Sequence, residues 1–276
     1  MRRESDDQGT GVQLADDVRR IVSLVPSLTE AVACSIAPNE PDRLVGVTNW
    51  CTHPPSLAAR RIGGTKNPDV AEIVKLRPDV VLANEEENRQ ADLDALRAAG
   101  IAVWVTEIRT VPQALASLDR MLVKACALPR PEWLDRAKAA WSPLDATTKH
   151  PNTYASSAIQ TTALQVTALQ ATAIVPIWRR PWMVLGRDTF AGDVLRRLGV
   201  HNLYEDHADR YPAIPIDELC ATKPQLVILP DEPYKFTEDD GPEAFPGLRC
   251  ALVSGRHLTW YGPSLAAAPT LLRAQL

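Results

Sequence analysis

The chain has 276 residues, of which 45% are hydrophobic and 23% charged, with a net charge of -4; that is length enough for one large domain or two lobes with separate cores. The absence of a Lys/Arg-rich block speaks against nucleic-acid binding, and no run of about 18 apolar residues offers a membrane span. The five cysteines, Cys34, Cys51, Cys126, Cys220 and Cys250, are odd in number and contain no C-x-x-C, which argues against a disulfide framework and for a reducing compartment.

Residues 1–18 are polar and acidic, without the apolar core of a signal peptide. They are expected to form a disordered tail, and the chain as written to be cytoplasmic, with an extracytoplasmic place only if the true start lies upstream. A first α/β lobe is expected over 19–110. It opens on "RIVSLVPS" (20–27), a short β-branched run that reads as a buried parallel strand stopped by Pro26. Ser27 and Glu30 have the S-x-x-E spacing of a capping box. Then come strand "RLVGVT" (43–48), helix "VAEIVKLRP" (70–78), strand "DVVLAN" (79–84), helix "ADLDALRAAG" (91–100) and strand "IAVWVTE" (101–107). Strands alternating with helices at short spacing predict a mostly parallel sheet.

Linking helices are expected over 111–145: "VPQALASLDRMLVKAC" (111–126) and "PEWLDRAKAAW" (131–141), the second ended by Pro143. Residues 146–170 are Ala/Thr/Gln/Ser-rich with "TALQ" repeated, a low-complexity insertion. A second α/β lobe is expected over 171–276, with strands "AIVPIW" (173–178), "QLVILP" (225–230) and "RCALVSG" (249–255), and helices "FAGDVLRRLG" (190–199), "IDELCATKP" (216–224) and "SLAAAPTLLRAQL" (264–276). Residues 72–88 (EIVKLRPDVVLANEEEN) lie over 218–234 (ELCATKPQLVILPDEPY) without a gap. The shared basic-Pro step and the acidic loop after each strand suggest that the two lobes repeat one plan.

Open parallel sheets bind ligands beyond the carboxyl ends of their strands. The loops expected there carry Trp50, Trp178, Trp182, Trp260, Tyr234 and Tyr261, aromatic walls suited to a flat or bulky ligand.

The stretches "RIVSLVPSLTEAV", "RLVGVTNWCTHPP", "RIGGTKNPDVAEIVKLRPDVVLAN", "LRAAGIAVWVTE", "VLGRDTFAGDVLRRLGVHNLY" and "LCATKPQLVILP" together resemble the class III, helical-backbone periplasmic binding proteins of ABC importers for vitamin B12, ferric siderophores and haem. The resemblance implies two Rossmann-like lobes joined by a linking helix, a ligand cleft between them, and Trp50 as an aromatic lining the corrinoid site. It also implies docking on a permease through lobe-surface carboxylates, for which Glu72 and Asp188 are the nearest candidates. The chain departs from the family in lacking a signal peptide and in carrying the 146–170 insertion, an atypical branch.

Cys51 and His53 are two apart, a spacing foreign to structural zinc sites. His53 is better placed as an axial ligand to a metal already held in a macrocycle. A Cys51/His53 nucleophile pair is disfavoured because neighbouring side chains in an extended loop point apart, and no G-x-S-x-G, P-loop or G-x-G-x-x-G motif occurs. Glu86, Asn88 and Asp231 stand in acidic loops that could do acid/base work, bind a cation or accept hydrogen bonds from ligand amides, and Arg179 suits either a ligand carboxylate or phosphate or a pairing with the acidic loops themselves.

The expected function is a non-enzymatic solute-binding protein for a cobalamin or other corrinoid, a ferric siderophore or haem. The expected contacts are Trp50, His53, Glu86, Asn88, Trp178, Arg179, Asp231, Tyr234, Trp260 and Tyr261. No cofactor is required, and the expected partners are the small metal chelate and an ABC permease. The alternative is a cytosolic enzyme or ligand sensor reusing the scaffold.

Overall fold

A computed structural model of the protein describes residues 1–145 and 170–276. The low-complexity insertion therefore lies, but for Gln170, outside the described residues. The chain divides into two compact units. The first comprises Met1–Ala137 with Trp260–Leu265, and the second Lys138–Thr259 with Ala266–Leu276.

The first unit opens with an antiparallel hairpin, β1 (Arg2–Ser5) and β2 (Gly11–Leu14). β3 (Ile21–Ser23), α1 (Pro26–Ala33), β4 (Leu44–Val47), β5 (Arg60–Arg61), α2 (Val70–Leu76), β6 (Val80–Asn84), α3 (Gln90–Ala98), β7 (Val103–Thr106) and α4 (Val111–Arg120) follow, and a π-turn at Met121–Ala125 extends α4. The sheet order is β5-β4-β3-β6-β7, and every pairing is parallel. β3, β6 and β7 are buried at every residue, as continuous apolar runs flanked by helices demand. One side of the sheet packs Val22, Val81 and Val105 with Ile73 of α2 and Leu93 and Leu96 of α3.

Residues 1–18 are not a disordered tail. Val12, Leu14 and Val18 are buried, as is the polar Asp6. The Asp6 carboxylate accepts the Gln8 and Thr10 amides at 3.1 and 2.8 Å, closing the hairpin turn, and the Val105 amide at 3.3 Å. Asp7 donates its amide to the Val105 carbonyl at 3.1 Å, while its carboxylate accepts the Glu107 amide at 2.9 Å and pairs with Arg120. The acidic residues that suggested a solvated segment instead satisfy the open edge of β7.

The S-x-x-E pattern is not a capping box. Val25 is the N-cap of α1 and makes no side-chain capping bond, Pro26 occupies the first turn, and Ser27 and Glu30 are buried inside the helix. The fixed φ of proline already suits that first position, so no capping side chain is called for. α5 (Glu132–Asp145) also runs through Pro143 rather than stopping at it.

The second unit contains β8 (Ala171–Ile174), β9 (Pro176–Arg179), β10 (Trp182–Val184), α6 (Phe190–Arg197), β11 (Val200–Asn202), α7 (Ile216–Ala221), β12 (Leu226–Pro230), β13 (Cys250–Val253), α8 (Gly255–Thr259) and α9 (Ala268–Gln275). Its sheet, in order β11-β8-β12-β13, is again wholly parallel. The single strand expected over 173–178 is two: β8 joins the sheet, and β9 forms an antiparallel hairpin with β10. Pro176, which has no N–H, begins the new strand.

The repeat is visible in backbone geometry. α2 and α7 are each followed by a basic residue with left-handed backbone, Arg77 directly after α2 and Lys223 two residues after α7, both at φ 46. Each stands before a proline and leads into the strand second from its sheet's edge, β6 or β12. The Glu85 amide bonds the Thr106 carbonyl at the end of β7, and the Asp231 amide bonds Val253 at the end of β13.

Candidate ligand-binding rim

In the first unit the carboxyl end of β4 runs into Thr48-Asn49-Trp50-Cys51, a turn closed by the Cys51 amide on the Thr48 carbonyl at 3.2 Å. Trp50 stands at its third position with 65% of its surface exposed. Beneath it the Cys51 thiol is buried 3.0 Å from the Thr29 hydroxyl and 3.2 Å from that of Thr48. Burial pushes this thiol's pKa up, against the smaller pull of the two hydroxyls, which opposes thiolate chemistry. Burial also raises Cys126, to about 12. Iodoacetamide on the folded protein should therefore label the exposed Cys34 well before Cys51 or Cys126, as peptide mass mapping would read. Early labelling of Cys51 would contradict this geometry.

His53 is half-buried, with Nδ1 3.0 Å from the Thr52 hydroxyl. Its ring meets Trp260 edge-on, centroids 5.5 Å apart at 88°. Trp260 and Tyr261 are buried, each 7% exposed, and belong to this unit despite their late place in the chain. They form a backing to the rim, whereas Trp50 is open to solvent.

The acidic loop after β6 is shaped by two buried asparagines. Asn84 Oδ1 accepts the Glu86 and Glu87 amides at 3.0 and 3.3 Å, and its amide group donates to Thr106. Asn88, expected to make a polar contact to a ligand, accepts the Asn84 backbone amide at 2.9 Å and donates to the Thr65 carbonyl at 2.9 Å. Its donors and acceptors therefore serve the loop. Arg109 gathers Glu85 at 2.8 Å, Glu107 at 3.6 Å and Glu86 at 3.8 Å. The sequence reading missed Asn84 and Arg109; an asparagine closing a strand before an acidic run was the available signal.

In the second unit Trp178 is 42% exposed and meets Tyr234 edge-on at 5.6 Å. Behind them Tyr234, Phe236, Trp182 and Phe245 continue ring against ring. Arg179, a candidate ligand contact, pairs with Asp240 and Glu243 and lies 5.5 Å over the Trp182 ring. Tyr234 donates its hydroxyl to Asp240 at 2.6 Å. Asp231, exposed, accepts the Gly255 amide at 2.6 Å.

Of the two docking candidates, Glu72 lies in the first turn of α2, within 3.1 Å of Arg60 and 3.4 Å of Lys75. The Asp188 side chain is 70% exposed, 3.8 Å from Arg187. An open groove of about 250 Å3 between the N-terminal hairpin and the α3–β7 connection, lined by Gln13, Arg97 and Ile101 among others, includes none of these aromatics in its walls. Among the described residues no group of three or more His, Cys, Asp or Glu side chains could hold a metal ion. Among them also, no helix is long and apolar enough to cross a membrane.

Two α/β units with parallel sheets place the chain among two-lobed solute-binding folds. The periplasmic vitamin B12 binding protein of Vibrio cholerae matches with a TM-score of 0.68 and 18% identity, over 94% of this chain and 98% of that one. The periplasmic haem-binding protein of Roseiflexus sp. RS-1 matches with a TM-score of 0.72 and 19% identity, over 94% and 97%. At these identities the likeness establishes the fold. The family model described as periplasmic binding protein matches residues 21–245, and the chain belongs to that family. A curated vitamin B12-binding protein of Yersinia pestis (strain Pestoides F) is 26% identical over 221 residues, 78% of this chain and 70% of the relative. The family and these relatives are binding proteins, not enzymes, and they give no support to the cytoplasmic placement expected from the N-terminal residues.

Proposed function

We propose that the protein binds a metal-bearing macrocycle or chelate and releases it unchanged, with a corrinoid as the first candidate. The observation that carries this reading is Trp50, an exposed indole on a hydrogen-bonded turn at the carboxyl end of a parallel strand. A large apolar ring held open to water, away from any core, suits stacking on a flat ligand. Trp178, 42% exposed, offers the same in the second unit, with Tyr234 edge-on beside it. The B12-binding relative adds weight to the corrinoid.

Charge narrows the chemistry. Arg109 and Arg179 are both engaged by carboxylates of their own units. This favours a ligand recognised by stacking and hydrogen bonds over one gripped through its own carboxylates. His53 is the proposed axial ligand to a metal carried by the ligand, and the protein needs no cofactor of its own. The proposed place of action is outside the cytoplasm, delivering to an ABC permease through exposed carboxylates such as Asp188. Glu72, already paired, is the weaker contact.

Calorimetric titration with cyanocobalamin, haemin and a ferric hydroxamate siderophore tests the reading. Heat and a shifted visible band with one of them are expected. If His53 is an axial ligand, His53→Ala should abolish the band shift and keep most of the affinity. No heat and no spectral change with all three would sink the proposal.

A further inference from the structure

We propose that Arg61 is a positioning residue of the rim: its guanidinium holds the Thr48–Cys51 turn in the shape that presents Trp50. The inference rests on the ligand-binding reading above for its consequence, and on hydrogen-bond geometry for its cause.

Arg61 ends β5, the two-residue edge strand, where it is paired with Val47 of β4. Its chain position is thus set by the sheet, one residue before the turn on the neighbouring strand. From there its Nη1 donates to the Thr48 carbonyl at 2.8 Å and to the Cys51 carbonyl at 2.7 Å. These are the first and last carbonyls of the turn that carries Trp50. One nitrogen therefore ties both ends of the turn to the sheet edge.

Three features make this more than an incidental surface contact. Thr48 and Cys51 are buried, so their carbonyls cannot turn to water without opening the loop. Among the described residues Arg61 is engaged by no carboxylate, unlike Arg109 and Arg179, and both hydrogen bonds of its guanidinium end on this turn. The remaining anchors also converge on the turn. The Asn49 amide bonds the Gly63 carbonyl at 2.8 Å, and the Cys51 thiol lies between two threonine hydroxyls. Everything around Trp50 fixes its backbone and leaves its face exposed. A turn held in shape before the ligand arrives loses less backbone freedom on binding, so rigidity here becomes affinity.

Two measurements on the whole protein test this. The first needs no ligand: amide hydrogen exchange in Arg61→Met, which keeps the aliphatic stem and removes both bonds. Exchange at Asn49 and Cys51 should quicken by about tenfold or more as the turn opens locally, with Val81–Ala83 of β6 unchanged as the control for folding. Unaltered exchange at Asn49 and Cys51 would overturn the proposal.

The second is a cyanocobalamin titration in a double-mutant cycle. Arg61→Met should weaken binding about tenfold beside Trp50 and less than about twofold in a Trp50→Ala background, because the two residues act as one unit. Arg61→Lys should recover part of the loss, since its ammonium can reach a carbonyl without the fixed guanidinium plane. Equal weakening in both backgrounds would overturn the positioning role and make Arg61 a direct contact or a general stabiliser. If wild-type protein takes up no cyanocobalamin while the turn still loosens in Arg61→Met, the corrinoid reading fails and Arg61 remains the anchor of the turn.

Discussion

Trp50→Ala should weaken cyanocobalamin binding by about 10–100-fold, roughly 1.4–2.8 kcal/mol, the range of a buried aromatic anchor at a binding surface. The effect should be confined to binding. With 65% of the residue exposed, its removal opens no cavity, and the thermal midpoint should move by less than about 2 °C. Titration followed by tryptophan quenching, beside a thermal melt, separates the two effects. An affinity within about twofold of wild type would remove Trp50 from the site. The same substitution at Trp178, with less exposed surface, is expected to cost less.

Deleting residues 2–15 should lower the thermal midpoint by roughly 10–20 °C. Val12 and Leu14 are buried, and at about 2 kcal/mol each they supply most of the loss. The edge amides of Val105 and Glu107, now satisfied by Asp6 and Asp7, add about 1 kcal/mol more. For a chain of this size each kcal/mol shifts the midpoint by about 2–4 °C. The uncovered edge of β7 should also promote strand-to-strand association, visible as a higher-mass species by size-exclusion chromatography. A truncated protein that melts and elutes like the intact one would show the hairpin to be dispensable.

Much of the fold was legible because its signals are local. Apolar β-branched runs between prolines and glycines marked β3, β6, β7 and β12, since strands buried on both faces need continuous apolar sequence. The gapless match of 72–88 on 218–234 was legible for the same reason. It encodes a helix, a left-handed basic residue and a strand, each set by near neighbours, and the structure gives Arg77 and Lys223 the same φ of 46.

The errors share another cause. Asp6 and Asp7 read as solvated because their partners lie far along the chain, Val105 being 99 residues from Asp6. Ser27 and Glu30 matched a capping pattern, but Pro26 had already started the helix and both side chains face inward. For Arg179 the sequence left a ligand contact and an acidic partner both open, since nothing near it announces Asp240 and Glu243. Trp260 was placed on the second lobe by chain order, yet its ring meets His53 of the first unit.

Alone, the amino-acid sequence determined the α/β class, the repeated plan, and Trp50 as the aromatic at the end of its strand. These follow from hydrophobic period and local backbone preference, which neighbouring residues decide. Only the tertiary structure decided which polar groups remain available to a ligand. Whether a carboxylate, an arginine or an asparagine is spent on its own protein depends on partners brought near by folding, and hydrogen-bond geometry has no counterpart in sequence spacing. Arg61 shows the difference: in sequence it is the second of two adjacent arginines, and in the folded chain it ties both ends of the turn that carries Trp50.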